Sequence, residues 1–483
     1  MSATVVMERI SRPTNSPVEL TVVPMNRLDH TDGPPTAHLS EEGELHRLNR
    51  ELHRYLTILG SFFIHFITLG LSTSFGSYQA YYEEEYLASS SSSTISWIGT
   101  TQVFLLSFLG LFSGAFYDRG YLRETLAAGL ALIVLGMGLL GSAHEFWQVF
   151  LAQGLCVGLG SGLVYVPAIS SVSNHFVTHR TLALGVAASG AAAGGVAWPI
   201  AFHKLLPSIG FAWVNRSFAL LVLILATISY FSLTSGTYTG QPDIQRSRVR
   251  GCFSVISQHS ENAGQNRNRT SILARERLMS TFSAFNGKAY LFLCIGVFFV
   301  LLGYWVPLFY IVPYASTVLG APSLYAPYLL SILNAGSFFG RVVPASVRRL
   351  CGSANILLFG AASLAVLVFV WLNIQQIAGI TAWCFFLGFT AGSVITIPNA
   401  VASRLSTPSN TGQRIGIMWM LGAFAELVGT PIAGTLVTQE NGKTNYLGGQ
   451  LFGGLSILIG AAFLVAPAWS IFKDDRTRGQ RLE

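Results

Sequence analysis

The sequence predicts an all-α integral membrane protein with twelve transmembrane helices in two pseudo-symmetric six-helix bundles. Three observations predict it: an apolar composition, twelve apolar runs of bilayer length, and corresponding marks in the two halves. The 483 residues are 51% hydrophobic and 11% charged, with mean hydropathy +0.51. Soluble domains carry about 25% charged residues, so a water-soluble fold of this size could not hide so much apolar surface.

The runs fall at about 55–80, 95–117, 124–143, 147–173, 181–203 and 212–233, then 289–313, 322–343, 352–373, 376–402, 415–437 and 447–472. Each is near the roughly 20 residues that cross about 30 Å of hydrocarbon. Outer-membrane strands would be shorter and would alternate in polarity, and nothing here does. We number the predicted helices 1 to 12 in that order.

Corresponding marks recur at a nearly constant offset. Gly110 and Gly114 of helix 2 match Gly340 and Pro344 of helix 8 at 230 residues, Pro167 of helix 4 matches Pro398 of helix 10 at 231, and Pro199 of helix 5 matches Pro431 of helix 11 at 232. Three coincidences within two residues argue for an internal duplication. The predicted organisation is a disordered cytoplasmic tail (1–54), an N-terminal bundle (55–233), a polar, basic cytoplasmic linker (234–288), a C-terminal bundle (289–472) and a short cytoplasmic tail (473–483).

The net charge of +7 does not point to nucleic acid, because its placement follows the helices. With the N-terminus inside, the cytoplasmic segments hold 26 of the 29 Lys and Arg, and only Lys204, Arg216 and Lys443 fall outside. That is the positive-inside bias, and it predicts both termini in the cytoplasm. The five Cys have neither disulfide nor zinc spacing. No P-loop, catalytic carboxylate pair or metal pattern appears, so the expectation is no cofactor, no metal and no enzyme. No cleavable signal precedes helix 1, which is expected to act as its own uncleaved signal.

Residues 182–197 read LALGVAASGAAAGGVA. Gly185, Ser189, Gly190 and Gly194 make a small-residue face. In a membrane, packing drives helix association, and small residues let backbones approach. The same residues suit static packing or a sliding surface. Helix 11 repeats the theme with Gly429, Pro431 and Gly434.

HFVTHRTLALGVAASGAAAGG (175–195) is similar to the loop 4–5 and helix 5 signature of the monocarboxylate porters within the major facilitator superfamily. SSSTISWIGTTQVFL (91–105), GAFYDRGYLR (114–123), YVPAISSVSNHF (165–176), LLGYWVPLFY (301–310), ILNAGSFFGRVVP (332–344) and LVGTPIAG (427–434) resemble its fungal branch. The resemblance implies a secondary transporter whose halves rock about a midplane site. It implies small organic acids as cargo, often with protons, and in the fungal branch also vitamins and secondary metabolites. The plasma membrane is the implied location. Two departures stand out. The animal porters carry an Asp one turn before the helix 8 Arg, where this chain has Ser337, and the Asp-Gly-Gly start of helix 1 is replaced by ELHRYLTILGSF (51–62).

Intramembrane ionisable groups cost roughly 2.5–3.5 kcal/mol each on insertion scales, so each is a candidate site. Arg341 can bind a carboxylate bidentately, with Asn334 on the same face; the alternative is snorkelling to headgroups. Glu426, halfway along helix 11, is the proton-coupling candidate, or else a packed carboxyl. His65 heads a polar stripe with Ser61, Thr68, Ser72, Gly76 and Gln79 that should line the cavity. Tyr165, Asn399 and Trp419 complete the expected substrate-binding set. In the loop between helices 2 and 3, Asp118 can meet a helix N-terminus, while Arg119 and Arg123 can bridge to the other half as an inner gate. The sequons at Asn215 and Asn268 are expected to stay unmodified.

The function expected from the sequence is alternating-access transport of a small organic anion, by a protein that works as a monomer in the bilayer. The alternatives are efflux of a larger secondary metabolite, or a non-transporting nutrient sensor on the same fold.

Overall fold

Helix is dictated wherever backbone must cross lipid, since every N–H and C=O needs an internal partner there. The computed structural model describes residues 36–90, 92–176, 179–234, 287–322, 325–347, 351–407, 409–440 and 443–478. The described residues from Arg50 onward form one compact unit. The linker from 235 to 286, with Asn268 and Cys252, lies outside the described residues.

Helix α1 runs Thr36–Ile67 and continues, with slight breaks, through Leu69–Thr73 and Phe75–Tyr81. Helix α2 comprises Ser92–Phe108 and Gly110–Asp118; α3 is Leu122–Leu140; α4 spans Phe146–Val149, a π-helical stretch Phe150–Val157 and Gly158–His175. One helical run, Arg180–Ser232, is 53 residues long, and Gly210 at φ 74° breaks it into α5 (180–209) and α6 (211–232). The second half contains α7 (Lys288–Thr317), α8 (Ala326–Ser346), α9 (Ser353–Val370), α10 (Ile377–Arg404), α11 (Thr411–Thr435) and α12 (Leu447–Arg478). Among the described residues, ten helices are long and apolar enough to span a bilayer. The Gly210 break makes two spans of one of them, and α8, which carries Asn334 and Arg341, makes the twelfth.

Three differences from the sequence reading have local causes. The predicted tail is helical from Thr36 to residue 54, because Leu45, Leu48 and Leu52 recur at helical spacing among strong helix formers. A membrane helix also removes the cost of nucleating that extension. The chain between the first two predicted spans is ordered: Tyr82–Tyr86 makes a π turn, with Tyr82 fully buried against Gln153 and Tyr86 bonded to the Ala143 carbonyl. A two-stranded hairpin, β1 (Thr438–Glu440) and β2 (Lys443–Asn445), interrupts the all-α plan between α11 and α12.

Large apolar side chains such as Phe231, Trp469, Phe359 and Trp213 are more than 60% exposed on the outside. In water such a surface would aggregate; in lipid it is the expected exterior. The interior forms two apolar clusters. One fills the first half around Ile64, Ile133, Val214 and Trp198. The other fills the second half and takes in Tyr165, Val166, Ala183 and Leu184 of the first. The core of the second half is therefore continuous with the seam between the halves.

Candidate functional site

One face of the bundle carries the ends of helices at Asp118, His175, Ser346 and Arg404, and the starts of α5, α7 and α11. The halves are sealed here. Gly412 and Gln413, in the first turn of α11, donate backbone N–H groups to Asp118, at 3.0 Å to Oδ1 and 2.7 Å to Oδ2. The first N–H groups of a helix have no partner in their own helix, and the helix dipole favours an anion there. The carboxylate from α2 thus caps a helix of the other half.

The two arginines of the same motif do otherwise, which corrects the bridging expected of them. Arg119 is exposed and donates to the Ala115 carbonyl of its own helix. Arg123 donates to the Tyr230 carbonyl and lies over the Tyr230 ring at 5.0 Å, so it ties α3 to α6 within one half. The α6 partner lies more than 100 residues away in sequence, beyond the reach of motif spacing.

The small-residue faces divide into two kinds. A Cβ on Gly185 would meet the Arg341 carbonyl oxygen at 2.3 Å, and one on Gly195 would meet the Asn334 side chain at 2.7 Å, both in the other half. Likewise Gly110 and Gly114 of α2 lie against Gly416 and Gly412 of α11. By contrast, a Cβ on Gly190 would run into the Phe62 carbonyl and one on Gly194 into Phe66 and Gly70, all on α1 of the same half. Gly429 and Gly434 pack on Leu302 and Tyr310 of α7, also within one half. Ser189 is buried and bonds the Val186 carbonyl. Pro431 lies inside α11, on its exposed side.

Between the halves, above the sealed face, four of the expected substrate residues form a chain. The His65 ring of α1 meets Tyr165 of α4 edge-on at 5.2 Å, and Tyr165 meets Trp419 of α11 at 5.5 Å. Trp419 Nε1 donates to Asn399 Oδ1 of α10 at 2.8 Å. The chain crosses the seam at the Tyr165–Trp419 contact. Asn334 lies apart from it: its amide bonds the Leu330 carbonyl of its own helix and packs on Gly195.

Arg341 does not snorkel. It is 5% exposed, with Nε donating to Ser337 Oγ at 3.3 Å and Nη1 to the Ala188 carbonyl at 3.0 Å across the seam. Helical side chains lean toward their own N-terminus, which carries this guanidinium away from the sealed face toward the rings. Among the described residues no carboxylate pairs with it, and Nη2 has no hydrogen-bond partner. Tyr165, Tyr304 and His65 lie within its electrostatic reach.

Glu426 is 7% exposed and accepts a bond from Ser107 Oγ at 2.8 Å, so its carboxyl is tied to α2 of the other half. Trp305 Nε1 lies close to that carboxyl, yet is buried without reaching hydrogen-bond geometry to it or to another partner. Tyr165 and Tyr304 are each within electrostatic reach of both Arg341 and Glu426. Ser107, Tyr304 and Trp305 escape the sequence reading, because hydroxyl and aromatic residues are common in any membrane helix. Elsewhere on the α1 stripe, Ser61 bonds the Ala168 carbonyl, Thr68 bonds the Ile64 carbonyl, Ser72 accepts from Gln102, and Gly76 faces Leu330 of α8 in the other half.

Two six-helix halves thus meet at a seam that holds the His65–Tyr165–Trp419–Asn399 chain, Arg341 and Glu426. The profile of the Major Facilitator Superfamily matches residues 56–430. The chain belongs to the major facilitator superfamily. Curated relatives of this superfamily chain include the agnestins efflux protein AgnL12 of Paecilomyces divaricatus, 30% identical over 85% of this chain and 86% of that one. The MFS-type transporter dbaD of Emericella nidulans is 31% identical over 87% of each. The aspyridones efflux protein apdF of the same organism is 30% identical over 84% of this chain and 76% of that one. Among solved structures, the proton:xylose symporter XylE superposes with a TM-score of 0.60 at 15% identity, covering 88% of this chain and 95% of its own. These relatives are named as transporters, not enzymes, and XylE shares the fold.

Proposed function

We propose that this major facilitator is an efflux carrier for an acidic secondary metabolite, of the monocarboxylate-porter type. In this reading it acts as a monomer in the plasma membrane with both termini cytoplasmic. The carrying observation is Arg341, a buried guanidinium at the seam that, among the described residues, has no carboxylate partner and no hydrogen bond at Nη2. A buried unpaired charge is costly, and an anionic cargo supplies the missing partner. The direction of transport rests on the two relatives named for efflux. The face tied by Asp118 is cytoplasmic by the positive-inside bias. Glu426 is our candidate for proton coupling, in place of the Asp that Ser337 replaces.

The test compares metabolites inside and outside cells with the gene intact, deleted, or replaced by Arg341→Gln. We expect one acidic compound to accumulate inside the deletion strain and the Arg341→Gln strain alike, with the variant present at the membrane in normal amount. Unchanged export by Arg341→Gln would overturn the anion-partner role. An acid taken up more slowly by the deletion strain would reverse the direction.

A further inference from the structure

The anion reading uses one end of the polar centre and leaves the other unexplained. At that second end, Glu426 gives one carboxyl oxygen to Ser107 Oγ, while no hydrogen bond to Oε1 is present among the described residues. Beside it Trp305, 7% exposed, holds a buried indole N–H close to the same carboxyl but short of hydrogen-bond geometry with it. A donor and an acceptor therefore sit side by side, buried, on α7 and α11. Tyr165 and Tyr304 lie within electrostatic reach of both Glu426 and Arg341, with Trp419 edge-on to Tyr165 and Trp305 edge-on to Tyr304.

We propose that the Glu426–Trp305 end reads a hydroxyl group, so that the cargo is a hydroxylated, ring-bearing organic acid bound by its carboxylate at Arg341. The inference rests on the anion reading and adds a second recognition point. A hydroxyl both donates and accepts, which matches Oε1 as acceptor and Nε1–H as donor at once. A second carboxylate would face the Glu426 carboxyl, and a bare C–H would leave both groups unpaired. Sites built to bond a hydroxyl reject the analogue lacking it by as much as about 10⁴-fold. Aromatic walls favour a flat ring between the two polar ends.

The test is calorimetric titration of the purified full-length protein with 4-hydroxycinnamate and with cinnamate, which differ by one hydroxyl. We expect the hydroxylated acid to bind at least about tenfold more tightly. Trp305→Phe is expected to bring the two within about twofold by weakening only the hydroxylated acid. Glu426→Met, of similar volume but without an acceptor, should do the same and covers the case of a misfolded Trp305 variant. Arg341→Gln should weaken both acids equally. Equal binding in the wild type, or a preference that survives in a folded Trp305→Phe or Glu426→Met protein, would overturn the hydroxyl reading. The anion reading would then still stand if Arg341→Gln weakens both acids. Failure of both acids to bind at millimolar concentration would overturn both readings.

Discussion

Replacing Asp118 with Asn should open the sealed face without unfolding either half. Asp118 gives its two oxygens to two N–H groups at the start of α11. The isosteric amide keeps one acceptor, turns the other position into a donor facing an N–H, and removes the charge. Hydrogen bonds to charged groups contribute about 1.5–3 kcal/mol, and the dipole interaction adds up to about 2 kcal/mol in partly buried geometry. These overlap, so we take about 2–3 kcal/mol as lost from the closed arrangement alone. At about 1.4 kcal/mol per factor of ten, the closed-to-open ratio should fall by about 30- to 150-fold. The assay is the distance distribution between spin labels at Glu124→Cys and Ser409→Cys, both exposed on this face, in a cysteine-free background. A longer-distance population should grow in Asp118→Asn. A distribution within about twofold of the parent's would refute the claim that this cap holds the halves together.

Gly190→Ala places a methyl against the Phe62 backbone within one half, so it should lower the thermal midpoint by an overpacking cost of about 1–3 kcal/mol. Gly185→Ala meets the other half at the Arg341 carbonyl, so it should leave each half folded and lengthen the same spin-label distance. Equal effects of the two on the midpoint would deny the division between static and moving seams. Glu426→Gln should flatten the pH profile of transport; the groups facing this carboxyl are Ser107 of α2, Tyr165 of α4 and Tyr304 and Trp305 of α7. A wild-type profile would remove Glu426 as proton carrier. Asn215, fully buried, donates to the Phe211 carbonyl and accepts from Tyr78, so glycosidase treatment should produce no shift that Asn215→Gln abolishes.

The helices were legible because lipid imposes length and apolarity on every span, and the duplication was legible because prolines and glycines keep their depth. Legibility stops where the outcome depends on which helix stands opposite. LALGVAASGAAAGGVA shows that backbones come close, but not that Gly185 meets α8 while Gly190 meets α1. GAFYDRGYLR offers three charges at a helix end, and only Asp118 crosses the seam, because only it meets unpaired N–H groups. Arg341 and Glu426 stand out in sequence because charge is rare in a membrane. Tyr304 and Trp305 do not, since aromatic residues serve equally well in lipid.

The seam between α2 and α11 joins the two ends of the candidate mechanism. From one end to the other its contacts are Ser107 with Glu426, Gly110 with Gly416, Gly114 with Gly412, and Asp118 with the start of α11. The helices run antiparallel there, with glycine backbone touching glycine backbone between two polar bonds. Phe104 and Phe108 of α2 also meet the Phe424 ring of α11 edge-on at 5.9 Å, so rings as well as glycine backbone couple the two helices between Glu426 and Gly412. Occupancy or protonation at Glu426 and the cap at Asp118 therefore act on one mechanical element. Loss of the Ser107 bond removes one of the two polar ties that hold α2 and α11 in register, and the other tie is the gate itself.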